Sequence, residues 1–257
     1  MSSLLYVCVR PEVGAADAEH ASFRRALGVD VVDRLDLLEE PLTAARLDGY
    51  TAIVVGGSPF NVSDTAKSGL QLRVEADLER IARRAMAAEV AVFFTCFSIG
   101  VVTRLLGGDV VTSTPESASA TAIRTTDAGA SDPVFGPSSP ALTVFTAHKE
   151  SAAAVPPGAE LLATNDVCPV QAYRVGTHLY AAQFHPEPTP RDFADRMTFY
   201  RTTGYFDPEE FDVVQGQVLS ASVTEGAALL RRFAETFAVS SLPAAARPSP
   251  AGMPPGA

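Results

Sequence analysis

The stretch "VAVFFTCFSIGVVTRLLGG", residues 90–108, opens as an unbroken apolar run and turns small and polar at a single cysteine, Cys96. A short apolar run rich in Val and Phe is the pattern of a buried strand, and "IGVVTRLL" behind it has the texture of a helix. Cys96 therefore falls at a strand-to-helix turn. Working outward, "LLYVCVR" (4–10) reads as a strand, "AEHASFRRAL" (18–27) as a helix, and "TAIVVGG" (51–57) as a buried strand ending in two glycines. Leu70, Val74, Leu78, Ile81 and Ala85 then recur at helical spacing with Arg and Glu between them. Strand and helix in alternation imply an α/β fold, a mainly parallel central sheet flanked by helices.

After Gly108 the texture becomes strand-like: "ASATAIRTT" (118–126), "ALTVFTAH" (141–148), "PVQAYRV" (169–175) and "HLYAAQFH" (178–185). Thr189 and Pro190 suit the N-cap and first residue of a helix running to about Tyr200. A last helix is expected from a cap at Ser222, with Glu225 closing a capping box, to about Ala238. No linker or repeat divides the chain, so residues 1–239 read as one domain with a helical segment at 205–239. The Pro/Ala-rich tail at 240–257 reads as disordered.

The bulk properties narrow the function classes. The 257 residues are 47% hydrophobic and carry a net charge of −10, with no basic run, which argues against nucleic acid as a partner. The longest apolar stretches run about seven residues, against the ~20 that span a bilayer, so no membrane partner is expected. The start, "MSSLLYVCVRPEVG", lacks a basic n-region and reads as a first strand. Three scattered cysteines, Cys8, Cys96 and Cys168, with no CxxC pair, suggest a reducing cytoplasm and neither a disulfide framework nor a zinc site.

In open α/β sheets, functional groups gather beyond the carboxyl ends of the strands. Three segments would end there: Gly56-Gly57-Ser58-Pro59, Cys96, and His185-Pro186-Glu187. A thiol at a helix N-terminus is favoured as thiolate. An imidazole beside it can serve as base and then acid, and a carboxylate behind the ring fixes its tautomer. The N–H groups of Gly57 and Phe97 would form an oxyanion hole. A buried apolar thiol is the default for any lone cysteine, and it is this order of segments that favours a catalytic Cys96. Cys8 and Cys168 read as structural, His148 as a buried group positioning loops, and His20 and His178 as surface residues. Ser98 in "CFSIG" is a weaker nucleophile candidate, since the first glycine of Gly-x-Ser-x-Gly is missing and the obvious carboxylate follows the histidine.

The chain resembles the class I glutamine amidotransferases, especially stand-alone domains similar to the amidotransferase part of GMP synthase. The resemblance rests on "VVGGSP", on "TCFSIGVVTRLLGG" with Gly107 eleven residues after Cys96, and on "VQAYRVGTHLYAAQFHPE", in family order from about residue 50 to 190. It implies a flavodoxin-like α/β fold, with Cys96 as nucleophile, His185 as base and Glu187 as orienting carboxylate. Gly57 and Phe97 would be the oxyanion donors, and Gly56, Ser58 and Ser98 would lie at the substrate. The implied reaction is hydrolysis of the glutamine side-chain amide, with no metal or organic cofactor. Without a P-loop or a Ser-Gly-Gly-x-Asp-Ser loop in these residues, ammonia is expected to pass to a separate synthetase or acceptor enzyme. The chain departs from the family elbow at Phe94 and Ser98, where glycines are usual, and lacks the His-Gln that normally follows. Two alternatives stay open: a cysteine hydrolase of other γ-glutamyl compounds, and an impaired regulatory or binding homologue.

Overall fold

The computed structural model describes residues 3–238 apart from 139, 203–205 and 224. In chain order its strands are β1 (Leu4–Cys8), β2 (Asp33–Asp36), β3 (Ala52–Val55), β4 (Ala91–Thr95), β5 (Val110–Val111), β6 (Glu116–Thr125), β7 (Ala141–His148), β8 (Ser151–Ala152), β9 (Ala159–Thr164), β10 (Ala172–Val175) and β11 (Leu179–Ala182). The helices are α1 (Val13–Leu27), α2 (Gly69–Met86), α3 (Phe97–Leu105), α4 (Asp127–Ala130), α5 (Pro190–Met197), α6 (Phe211–Ser220) and α7 (Glu225–Phe237).

Among the described residues, nine strands form one sheet in the order β2-β1-β3-β4-β11-β10-β9-β6-β7. The pairings from β2 to β11 are parallel, and those from β11 to β7 are antiparallel. The expected α/β fold, a mainly parallel central sheet with flanking helices, is what the chain adopts, and β10, β9, β6 and β7 extend it as an antiparallel wing. Strand alternation sorts side chains to two cores. Tyr6, Ala91 and Phe93 join α1 and α7 residues such as Phe23 and Phe233 on one face. Val7, Val92 and Phe94 join Val74, Leu78 and Ile81 of α2 on the other. A third cluster packs Phe193 and Met197 of α5 and Phe211 of α6 over Ala118, Phe145 and Ala147 of the wing.

Local signals held where capping chemistry was explicit. Thr189 caps α5 in a full capping box with Asp192, and Pro190 is its first residue. They failed where polar residues disguised an element. β2, "DRLD", has only Leu35 buried. α1 begins at Val13, ahead of the expected residue 18, because Ala15 and Ala16 extend its buried face. α7 begins at Glu225, later than the expected start at Ser222. The tail at 240–257 lies outside the described residues.

Candidate active site

The site sits where the parallel strands end. Cys96 follows β4 and caps α3 with φ 53° and ψ −112°. Among the described non-glycine residues only Ala88 and Cys96 have positive φ. Such a backbone costs on the order of 1–3 kcal/mol and persists only where its surroundings hold it. Here the Cys96 N–H donates to the Ala182 carbonyl at 2.8 Å, tying the turn to β11. The Thr95 hydroxyl donates to the Val55 carbonyl at 2.7 Å, tying it to β3. The result is a sharp elbow that presents the thiol at a helix N-terminus.

His185 arrives from the chain just beyond β11, its N–H donating to the Phe145 carbonyl at 2.8 Å. Its ring shares a cleft with Cys96, whose thiol donates to the Ala147 carbonyl at 3.8 Å. The ring Nδ1 lies 3.1 Å from Glu187 Oε1. Burial alone would push this imidazole pKa down, but the Glu187 carboxylate and the Cys96 sulfur override it and raise the pKa to about 9. Glu187 is also buried, which opposes ionisation, yet His185 and Arg196 hold its carboxyl well below the usual range. Burial pushes the thiols of Cys8 and Cys168 each up to about 11.

Behind this unit lies a buried ionic network that inspection of the sequence missed. Arg196 Nη1 donates to Glu187 Oε1 at 2.7 Å and to Glu19 Oε1 at 3.3 Å. Glu19 also accepts from Arg10 Nε at 2.8 Å and from the Tyr6 hydroxyl at 2.7 Å, and Arg10 Nη1 donates to the Tyr200 hydroxyl at 3.0 Å. A signal did exist, since Glu19 occupies a core-facing position of α1 together with Ala15, Ala16 and Phe23. A charge at such a position needs a buried partner.

Two clefts meet at Cys96 and Ser58. One is lined by polar and backbone-rich residues including Asn61, Phe97, Lys149, Glu150 and Gln183. The other contains His185, Arg10 and Arg196. Ser58 thus stands at the junction, and Phe97 on the polar side. Gly57 lies against the His185 ring, where a Cβ would come within 2.7 Å of Cε1. Its N–H donates to Glu19 Oε1 across a long 3.3 Å. Gly56 is set back, facing the Glu19 carboxylate and Tyr6. Ser98 is fully buried, with its hydroxyl donating to the Thr95 carbonyl at 2.8 Å, and lines neither cleft. A serine tied inside its own helix is a poor nucleophile.

His148 has the positioning role expected of it: its ring bridges Glu116 Oε2 at 2.8 Å and the Glu150 carbonyl at 3.1 Å. The Glu150 carboxylate in turn accepts from the N–H groups of Val62 and Ser63, holding the loop after Gly57-Ser58. His20 and His178, expected at the surface, are half-buried, His20 by stacking on Tyr6. Two groups bring metal-type donors together, Glu19/His185/Glu187 and Glu116/His148/Cys168. In the first, Arg10 and Arg196 already neutralise the carboxylates. In the second, Asn165 and Gln171 join His148 on Glu116. Of the carboxylate oxygens in these two groups, Glu187 Oε2 alone lacks a hydrogen-bond partner.

Known proteins resemble the chain in sequence and in fold. The sequence profile of the glutamine amidotransferase class-I family matches residues 19–203. A glutamine-hydrolysing GMP synthase subunit from Methanothermobacter thermautotrophicus is 28% identical over 100 residues, covering 38% of this chain and 52% of the relative. The chain spans about half the length of that relative. In structure it is similar to a glutamine amidotransferase from Thermotoga maritima, with TM-score 0.66 and 17% identity over 90% of this chain and 97% of the other. A glutamine amidotransferase from Methylobacillus flagellatus gives TM-score 0.65 and 15% identity, over 91% and 94% of the two chains. These two likenesses establish the fold. No described helix is long and apolar enough to cross a membrane.

Proposed function

The chain belongs to the class-I glutamine amidotransferase family, and from that premise we propose that it hydrolyses the side-chain amide of glutamine through a thioester on Cys96. The observation that carries this reading is the opening of Cys96, held on a strained elbow, onto the same cleft as a His185 ring whose Nδ1 faces Glu187. An imidazole raised to about 9 is protonated at neutral pH, and a cation in the cleft together with a helix N-terminus favours a thiolate as the attacking species.

The thiolate attacks the amide carbon, and negative charge develops on the carbonyl oxygen near the Phe97 N–H at the start of α3. That N–H is one of the helix-terminal donors that lack an intrahelical acceptor. Gly57 serves as the second donor once its long bond to Glu19 yields. His185 gives its proton to the nitrogen, the C–N bond breaks, and ammonia leaves. The neutral ring then takes a proton from water, hydroxide attacks the thioester, and collapse releases glutamate and restores the thiolate–imidazolium pair. Glu187 keeps Nδ1 protonated and the ring aimed, and Arg196 keeps Glu187 ionised. Phe94 gives no reason for an impaired site, since it is buried in the core on the α2 side.

Two further points complete the reading. The GMP synthase relative is named as a subunit, which supports delivery of ammonia to a separate synthetase. Three thiols free of disulfides support a cytoplasmic setting. The test is ammonia release from glutamine by the purified chain. Turnover that disappears in Cys96→Ala is the expected result, and turnover that persists in that variant refutes the proposal.

A further inference from the structure

A second histidine faces Cys96 across the polar cleft, and the reaction proposed above makes no use of it. His148 is buried and lines that cleft with Gly100 and Glu150. Its Nδ1 lies 3.1 Å from the Glu150 backbone carbonyl, and its Nε2 lies 2.8 Å from Glu116 Oε2. A carbonyl oxygen and an ionised carboxylate can only accept, so each ring nitrogen needs a proton of its own. A neutral imidazole has one N–H and would set a lone pair against one of these oxygens. With both nitrogens donating, the ring also has no lone pair left for a cation.

Glu116 is held as an acceptor from every side. Its Oε1 accepts from Asn165 at 2.7 Å, and its Oε2 accepts from Gln171 at 2.7 Å as well as from His148. Burial opposes ionisation of this carboxyl, yet those three donors hold it below the usual range. The sulfur of Cys168 lies within 4.8 Å of both partners, but burial pushes that thiol up to about 11 and it stays neutral. Lys149 and Cys96 line the same cleft. The Glu150 carboxylate turns away, accepting from the N–H groups of Val62 and Ser63 at 2.5 and 2.8 Å. His148 thus holds the carbonyl of the residue that clamps the loop at 58–63. That loop lies directly on α3, where a Cβ on Gly100 would come within 3.0 Å of Val62 Cγ2.

We infer that Glu116 and His148 form a charged carboxylate–imidazolium pair that positions the polar cleft, with both ring protons needed to hold the Glu150 turn and, through it, the loop at 58–63 against α3. A ring that keeps one proton can satisfy Glu116 or the Glu150 carbonyl, not both. Neither residue takes part in the bond-breaking steps, so both are positioning residues. Their effect on turnover rests on the glutamine hydrolysis proposed above; the charge of the ring and the hold on the loop do not.

Nitrogen-15 NMR of the purified, histidine-labelled chain reads the ring directly, and both nitrogens of His148 are expected to carry protons at about pH 7.5. Glu116→Gln removes the carboxylate charge at nearly constant volume. In that variant His148 is expected to hold one ring proton at about pH 8 and to regain the second near pH 6. Protection of the Val62 and Ser63 amides against hydrogen exchange should fall at least tenfold at the higher pH, measured against the β4 amides, and recover at the lower. The KM for glutamine should follow the same course, rising at least tenfold and recovering, with kcat within threefold of the natural chain. A purely space-filling role would give no recovery on acidification. A singly protonated His148 in the natural chain overturns the inference, whether or not Glu116→Gln folds. Loop protection that is lost in the variant and not restored by acid, or never lost, overturns the positioning role. The expected ring and loop behaviour in a chain that releases no ammonia from glutamine upholds the pair and overturns the glutaminase reading alone.

Discussion

Replacing Phe94 with glycine, the usual residue of the family elbow, should cost stability and give no activity in return. Phe94 is fully buried, in register with Val55 of β3 and Ala181 of β11, and packs in the core with Val92, Val74 and Leu78. Its backbone has no positive φ, unlike Cys96 two residues on, so glycine's conformational freedom is not needed there. Removing a buried phenyl ring costs about 3–5 kcal/mol through lost transfer and the cavity left behind. Glycine in a strand adds about 0.5–1 kcal/mol. The sum, about 3.5–6 kcal/mol, is a large share of the ~5–15 kcal/mol that holds a typical domain together. Urea unfolding of the natural chain and of Phe94→Gly should show that loss as a lower midpoint at similar slope. Phe94→Leu, which keeps most of the volume, should lose about 1.5 kcal/mol or less. A glutaminase assay on the folded fraction should show no gain. If Phe94→Gly loses under about 1 kcal/mol, or raises ammonia release tenfold or more, the packing argument is wrong and the ring instead restrains the elbow.

The ionic unit makes two further predictions. Because the His185 pKa is raised to about 9, its protonated form contributes stability that is full below the unfolded value of about 6.5 and is lost as pH rises through about 9. The difference is about 3 kcal/mol. Urea midpoints should fall between pH 7 and 9, and His185→Gln should flatten that fall; an unchanged slope in the variant contradicts the assignment. Because Arg196 helps to hold Glu187 ionised, Arg196→Met should move the acid limb of the kcat/KM–pH profile to higher pH. An acid limb that stays in place shows that His185 alone keeps Glu187 charged.

The elements that position the chemistry were legible because their signals are local. An apolar strand breaking at Cys96, paired glycines after β3, and His185-Pro186-Glu187 after β11 each announce a strand end, and the α/β rule collects strand ends at one edge of the sheet. Glu19, Arg10, Arg196 and Tyr200 carry no such signal. Glu19 lies in α1 and Arg196 in α5, with Arg10 and Tyr200 in the segments beside them, and only the fold brings these distant stretches together. Arg196 sits in a short helix rich in charge, where an arginine reads as solvated, yet it is buried beside Phe193 and Met197. Ser98 shows the opposite failure. The family resemblance implied a place at the substrate, but its hydroxyl turns back to the Thr95 carbonyl. The Gly57 N–H was expected to face the substrate, and the buried carboxylate that claims it could not be foreseen from spacing.

Identity of the nucleophile is the claim on which the rest depends. Brief exposure of the purified chain to a diazo-ketone analogue of glutamine, followed by peptide mapping, tests it directly. The thiols of Cys8 and Cys168 are buried and pushed up to about 11, while Cys96 opens onto both clefts beside His185. The account predicts one adduct per chain, on Cys96, with labelling slowed at least tenfold by His185→Ala and blocked by excess glutamine. Labelling at Cys8 or Cys168 at a comparable rate, or labelling of Cys96 indifferent to His185, would contradict it.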